Sequence, residues 1–231
     1  MGLKADTGRL PVDFLSVEER GRALKYRFQK DRHRFILSRC FLRSVLSFYL
    51  GQEPQDIAIE AGPAGKPRLK GKPQSGLRFN LAHSGDVAVV AVAVSREVGI
   101  DVELIRDPVP EPDAIRTYCS RRELAEIDAL AGRDLAAAYY RIWTRKEALL
   151  KATGEGLGGL SPDLDVCSGG LQRRHGKTWH LYDLGLMAGY AAAIAVEGPA
   201  CPIKTKLWQA REVLQGPQGG DTHRDCEAGD R

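Results

Sequence analysis

Apolar positions recur at helical spacing between about Arg20 and Leu50, where Phe28, Phe35, Leu42, Val45 and Leu46 supply one side of a predicted helix. DIAIE (56–60) predicts a short strand, and a Gly/Pro-rich connection follows over 61–76. VAVVAVAV (87–94) is apolar at every position, as in a strand covered on both faces. After the turn SRE comes VGIDVEL (98–104), with Val98, Ile100, Val102 and Leu104 on one face and Gly99, Asp101 and Glu103 on the other. RDPVPEPDA (106–114) carries three prolines within five positions and predicts a hinge. Helical sequence then runs from about Arg121 to Thr153 with a break near Gly132, and strand candidates fall near 163–167, 178–184, 189–196 and 202–208. Helix followed by strands, twice over, predicts two similar α/β lobes, although no residue-level repeat supports them. The boundaries expected are 1–107 and 108–212, with a Gly-rich, polar tail at 213–231 expected to be disordered.

Composition narrows the class. With 231 residues, 43% hydrophobic and 28% charged, the chain has the make-up of a soluble globular protein with a substantial core. A net charge of +4 suits an anionic ligand or an acidic partner and gives no sign of nucleic-acid binding. The first residues lack a signal-peptide apolar region, and the uncharged run Leu184–Val196 is too short for a membrane span. Five cysteines stand singly (Cys40, Cys119, Cys167, Cys201, Cys226), which fits reduced thiols in the cytoplasm rather than a disulfide frame or zinc site.

Three clusters carry candidate chemistry, each with a plainer alternative. Asp101 and Glu103 place two carboxylates on one strand face, their α-carbons about 6.5–7 Å apart. Either that face is wet, or a hard divalent cation lies between the acids. Trp143, Glu147 and Lys151, at i, i+4 and i+8, line one helix flank beside an apolar stripe of Leu135, Tyr139, Ile142, Leu149 and Leu150. Glu147 and Lys151 are either a helix ion pair or groups at the margin of a cleft. GEGL then stops the helix. GKPRL (65–69) and FNLAHSGD (79–86) offer Lys66 and His83 to a phosphate; the alternatives are a solvated turn lysine and a histidine bonded to backbone. Asn80 and Ser84 read as turn formers, and Arg22, Arg34 and Arg39 as a solvated basic face.

In series, GKPRL, FNLAHSGD, VGIDVEL and WTRKEALLKATGEGL resemble the signature of the Sfp-type 4′-phosphopantetheinyl transferases, from about Arg22 to Leu157. The resemblance implies an α/β (α+β) enzyme of two pseudo-symmetric lobes, each a long helix packed on a small sheet, with the active site in the cleft between them. It implies transfer of phosphopantetheine from coenzyme A to a serine of an apo acyl or peptidyl carrier protein, releasing 3′,5′-ADP. Asp101, Glu103 and Glu147 match the family's ligands for Mg²⁺, and the sequence does not fix Mg²⁺ over Mn²⁺, since both take oxygen ligands in octahedral geometry. Glu147 and Lys151 match its catalytic pair. Arg22, Lys66, Pro67, His83 and Ser84, together with Asp101 and Lys151, match its coenzyme A contacts. Ala82 departs from the pattern, which often has serine there, and removes one hydroxyl contact. Neither nucleic acid nor membrane is implied, and a monomer suffices. A Mg²⁺-dependent nucleotide pyrophosphate hydrolase and a non-catalytic coenzyme A-binding protein are the competing readings.

Overall fold

The computed structural model describes residues 11–62, 65–71, 76–110 and 112–208. The elements are α1 (Val17–Leu24), α2 (Gln29–Leu50), β1 (Ile59–Ala61), β2 (Pro67–Leu69), β3 (Leu77–Ser84), β4 (Val87–Val94), β5 (Val98–Leu104), α3 (Pro112–Arg116), α4 (Arg121–Asp128), α5 (Gly132–Thr153), β6 (Gly170–Arg174), β7 (Lys177–Asp183) and β8 (Tyr190–Glu197). This is a mixed helix-and-sheet fold with antiparallel pairing: β1 with β2, β3 with β4, and a four-stranded sheet in the order β5-β8-β7-β6.

Contacts group the described chain into two compact units. One comprises residues 11–58, 86–88 and 201–208, the other 59–85 and 89–200. In the first, Ser16 opens α1 with a reciprocal capping box to Glu19, and α2 begins at the extended Phe28. The single helix expected over 20–50 is therefore two. No glycine or proline marks the break, which left it invisible in the sequence. Arg43 of α2, 1% exposed, donates to Glu19 and to the carbonyls of Pro54 and Ile57.

The second unit holds α5 against the β5–β8 sheet. A Cβ on Gly99 would stand 2.1 Å from the Ala148 carbonyl oxygen and 2.3 Å from the Ala152 nitrogen, so α5 lies directly on the strand there. The β8 residues opposite Gly99, Asp101 and Glu103 are Ala195, Ala193 and Ala191, which share that face. Glycine and alanine give the helix its close approach. Tyr139, Ile142, Leu149 and Leu150 bury the apolar stripe against Trp179, Leu181 and the alanines.

Several sequence expectations need correction. Asn80 and Ser84 are not turn formers: β3 runs through Ser84, with both inside the strand. The 61–76 connection contains β2, and the strand expected at 56–60 starts at Ile59, after a 3₁₀ turn over Pro54–Asp56. Residues 163–167 form no strand, and the edge strand lies at 170–174. Their apolar alternation arises because Leu164 and Val166 are buried in a loop whose backbone is satisfied by charged side chains. Glu123 accepts from the Val166 N–H, Lys146 donates to the Leu164 carbonyl, and Arg145 donates to those of Val166 and Cys167. Residues 202–208 are likewise irregular. Among the described residues, Cys40, Cys119, Cys167 and Cys201 are not joined in disulfides. Cys226 and the 213–231 tail lie outside the described residues. Among the described residues no helix is long and apolar enough to cross a membrane.

Candidate active site

β5 and α5 bring four of the expected residues together. Asp101, 3% exposed, points from β5 toward α5, and Lys151 Nζ donates to its Oδ1 at 2.5 Å. Asp101 Oδ2 and Glu147 Oε1 are both buried without a hydrogen-bond partner. Such orphaned carboxylate oxygens are costly and ask for an explanation. Burial pushes the Asp101 carboxyl up to about 7; Lys151 opposes this, while the charges of Glu103 and Glu147 add to it. Burial likewise raises Glu147, again opposed by Lys151 and aided by Glu103. The wet-face alternative for the strand does not hold.

The donor set is all oxygen, which suits a hard cation. Among the described residues no three His, Cys, Asp or Glu side chains form a ready-made cage. That is compatible with Mg²⁺, which keeps several waters, completes its shell with substrate phosphate and needs no preformed all-protein cage. The two orphaned oxygens are the observation that makes the site fit such an ion.

The remaining candidates sort themselves around this centre. Ser84 donates to Glu103 Oε2 at 2.6 Å. His83 is exposed on β3. Lys66 is not a free turn lysine: its Nζ lies 3.0 Å from Glu97 Oε2, 3.0 Å from the Val98 carbonyl and 3.3 Å from that of Ala152. It thereby joins the start of β5 to the end of α5. Lys66 and Pro67 line a cavity of about 800 Å³ with Arg78, Phe79, Thr153 and His175. Arg22 belongs to the other compact unit, with its guanidinium 5.4 Å from the centroid of the Phe35 ring. Arg34 and Arg39 are not merely solvated. Arg34 pairs with Asp86 at 2.8 Å, and Arg39 packs on Phe35 within 4.0 Å of Glu19.

Sequence reasoning missed the support beneath α5. Glu123 and Lys146 are both 0% exposed and pair at 2.9 Å. Ser120 and Glu123 form a capping box for α4, so Ser-x-x-Glu at 120–123 was a readable signal for the helix start. Nothing in it foretold the buried lysine partner.

Residues 97–195 match the 4′-phosphopantetheinyl transferase superfamily, and residues 7–95 match a 4′-phosphopantetheinyl transferase N-terminal family. The 4′-phosphopantetheinyl transferase HetI of Nostoc sp. is 35% identical over 188 residues, covering 80% of this chain and 79% of that protein. The chain belongs to the 4′-phosphopantetheinyl transferase family. As a member it is a transferase. Two further relatives extend the likeness over less of their length. The transferase psf-1 of Bacillus pumilus is 34% identical across 64% of this chain and 62% of its own. The transferase Sfp of Bacillus subtilis is 30% identical across 63% of each. The superfamily match spans both β5 and α5, so every carboxylate of the candidate site falls within it.

Proposed function

We propose that this transferase moves the 4′-phosphopantetheine moiety of coenzyme A to a serine hydroxyl of an apo acyl or peptidyl carrier protein, releasing 3′,5′-ADP. The observation that carries the reading is the pair of orphaned oxygens on Asp101 and Glu147 beside the Lys151 ammonium. Asp101, Glu103 and Glu147 would hold Mg²⁺, with Mn²⁺ as a substitute, and the ion would neutralise charge on the coenzyme A diphosphate. Lys151, 29% exposed at its side chain, adds a point charge to the same phosphates. Glu147, whose proton affinity burial has raised, takes the proton of the incoming serine. Phosphoryl transfer asks for little else beyond in-line orientation and charge stabilisation.

Lys66 and Pro67 would bound the adenosine end of coenzyme A, with His83 as a further contact expected by family likeness. We also assign the chain to the cytoplasm as a monomer, with lobes at 1–107 and 108–212. Its four described cysteines form no disulfide, and one chain carries all three carboxylates.

The test mixes the protein with Mg²⁺, coenzyme A and a panel of apo acyl and peptidyl carriers, and weighs each carrier by mass spectrometry. One phosphopantetheine increment on at least one carrier, lost on chelation, is the expected result. No increment on any carrier, with 3′,5′-ADP released regardless of carrier, would establish hydrolysis instead.

A further inference from the structure

β5 has one edge paired by backbone to β8 and another edge facing β3. On that second edge side chains stand in for a strand partner. Asn80 Oδ1 accepts from the Ile100 N–H at 2.8 Å, and Ser84 Oγ accepts from the Leu104 N–H at 3.1 Å. The donors are four residues apart on β5 and the acceptors four apart on β3, so the two contacts bracket Asp101 and Glu103. Ala82 lies buried between Asn80 and Ser84 in the strand sequence.

Ser84 does more than cap a backbone amide. Ser84 is 8% exposed, and its hydroxyl donates to Glu103 Oε2 at 2.6 Å. A serine hydroxyl has one proton to give. Here the proton goes to Glu103, which leaves no donor for a cofactor phosphate. The hydroxyl is therefore anchored to the backbone at Leu104 while it fixes one carboxylate oxygen of Glu103.

We propose that Ser84 is a positioning residue for the Glu103 carboxylate, fixing one oxygen so that the other is presented to the divalent cation, rather than a contact to coenzyme A. This rests on the metal reading of the site. Partners that orient a ligating carboxylate in this way typically alter metal affinity by about 10–100-fold when removed. The shared chemistry is a hydroxyl, so threonine should preserve the function and alanine should not.

The experiment titrates Mn²⁺ into the full-length protein and follows the free ion by electron paramagnetic resonance, with and without coenzyme A. Coenzyme A binding is measured separately by calorimetry in EDTA. S84A is expected to weaken Mn²⁺ binding roughly 10-fold or more, to leave coenzyme A binding in EDTA within about twofold, and to be rescued by S84T. Thermal unfolding of both variants shows whether each is folded. If S84A keeps Mn²⁺ affinity within twofold, or weakens coenzyme A in EDTA as much as the ion, the positioning role is overturned. A parent protein that binds Mn²⁺ yet modifies no carrier would overturn the proposed reaction and leave this inference standing. A parent that binds no Mn²⁺ overturns both the metal reading and the role of Ser84.

Discussion

Asp101 shows what a functional carboxylate costs the fold that holds it. Its carboxyl is pushed from 3.8 to about 7 by burial, although Lys151 donates to it directly. Because the folded value lies above the unfolded one, the native state keeps a proton that the unfolded chain has lost between about pH 4 and 7. Stability without a cation therefore falls as pH rises through that window and levels off above it. Asp101→Asn removes the titration. In EDTA its advantage over the parent should be near zero at pH 4 and grow to on the order of 2–4 kcal/mol by pH 8. Paired urea unfolding curves across pH measure that gap, and transferase activity should be lost in the same variant. A flat difference across pH would mean that Asp101 is not buried as a costly charge. The convergence of Asp101 with Glu147 and Lys151 was expected from the family resemblance, whereas residue type and spacing alone left a wet strand face and a helix ion pair open. The roles of Ser84 and Lys66 were not legible, because a strand serine and a tethered lysine look in sequence like turn residues. Only the positions of Glu103, Glu97 and two carbonyls reveal what each one holds.

At the scale of elements, strand and helix meet through the smallest residues available. Gly99 sits under Ala148 and Ala152, and Ala191, Ala193 and Ala195 continue the same face on β8. Gly99→Ala forces a methyl against main-chain atoms at 2.1 and 2.3 Å, where no side-chain rotation relieves it. The expected loss is roughly 3 kcal/mol or more in urea unfolding, with weakened activity as α5 lifts Glu147 and Lys151 away from β5. Unchanged stability in Gly99→Ala would show that α5 is free to shift. The strands expected at 87–94 and 98–104 and the helical period of α5 survived from sequence to structure, since each is set by local periodicity, although β4 is not covered on both faces throughout: Val94 is 60% exposed. The break between α1 and α2, the strand character of β3 and the loop at 163–167 did not. The last two depend on partners distant in sequence, namely the edge of β5 and the side chains of Glu123, Arg145 and Lys146, whereas the break after Leu24 carries no glycine or proline to mark it.

For the molecule as a whole, the net stability of a domain is a small difference between large opposing terms, so one buried ion pair can decide whether it folds. Glu123 and Lys146 are fully buried, 2.9 Å apart, and join α4, α5 and the 164–166 loop. Glu123 also accepts from the backbone of Ser120 and Val166, so its charge is well solvated by the protein itself. Lys146 has fewer options: its ammonium meets Glu123 and the Leu164 carbonyl. Removing one partner strands the other charge in the interior, which typically costs about 3–5 kcal/mol, whereas replacing both with neutral groups costs much less. Lys146→Met alone should therefore destabilise by about that amount. Adding Glu123→Gln should recover on the order of 2 kcal/mol of it, a coupling that a double-mutant cycle in urea reads directly. Simple additivity would mean that the pair contributes only as two independent hydrogen-bonding groups. Lys146 immediately precedes Glu147, so Lys146→Met should also depress carrier modification more than its loss of folded protein explains. Comparing activity per folded molecule, at a temperature where the variant remains native, separates these effects. Full activity per folded molecule would confine the pair to stability and remove it from the positioning of Glu147.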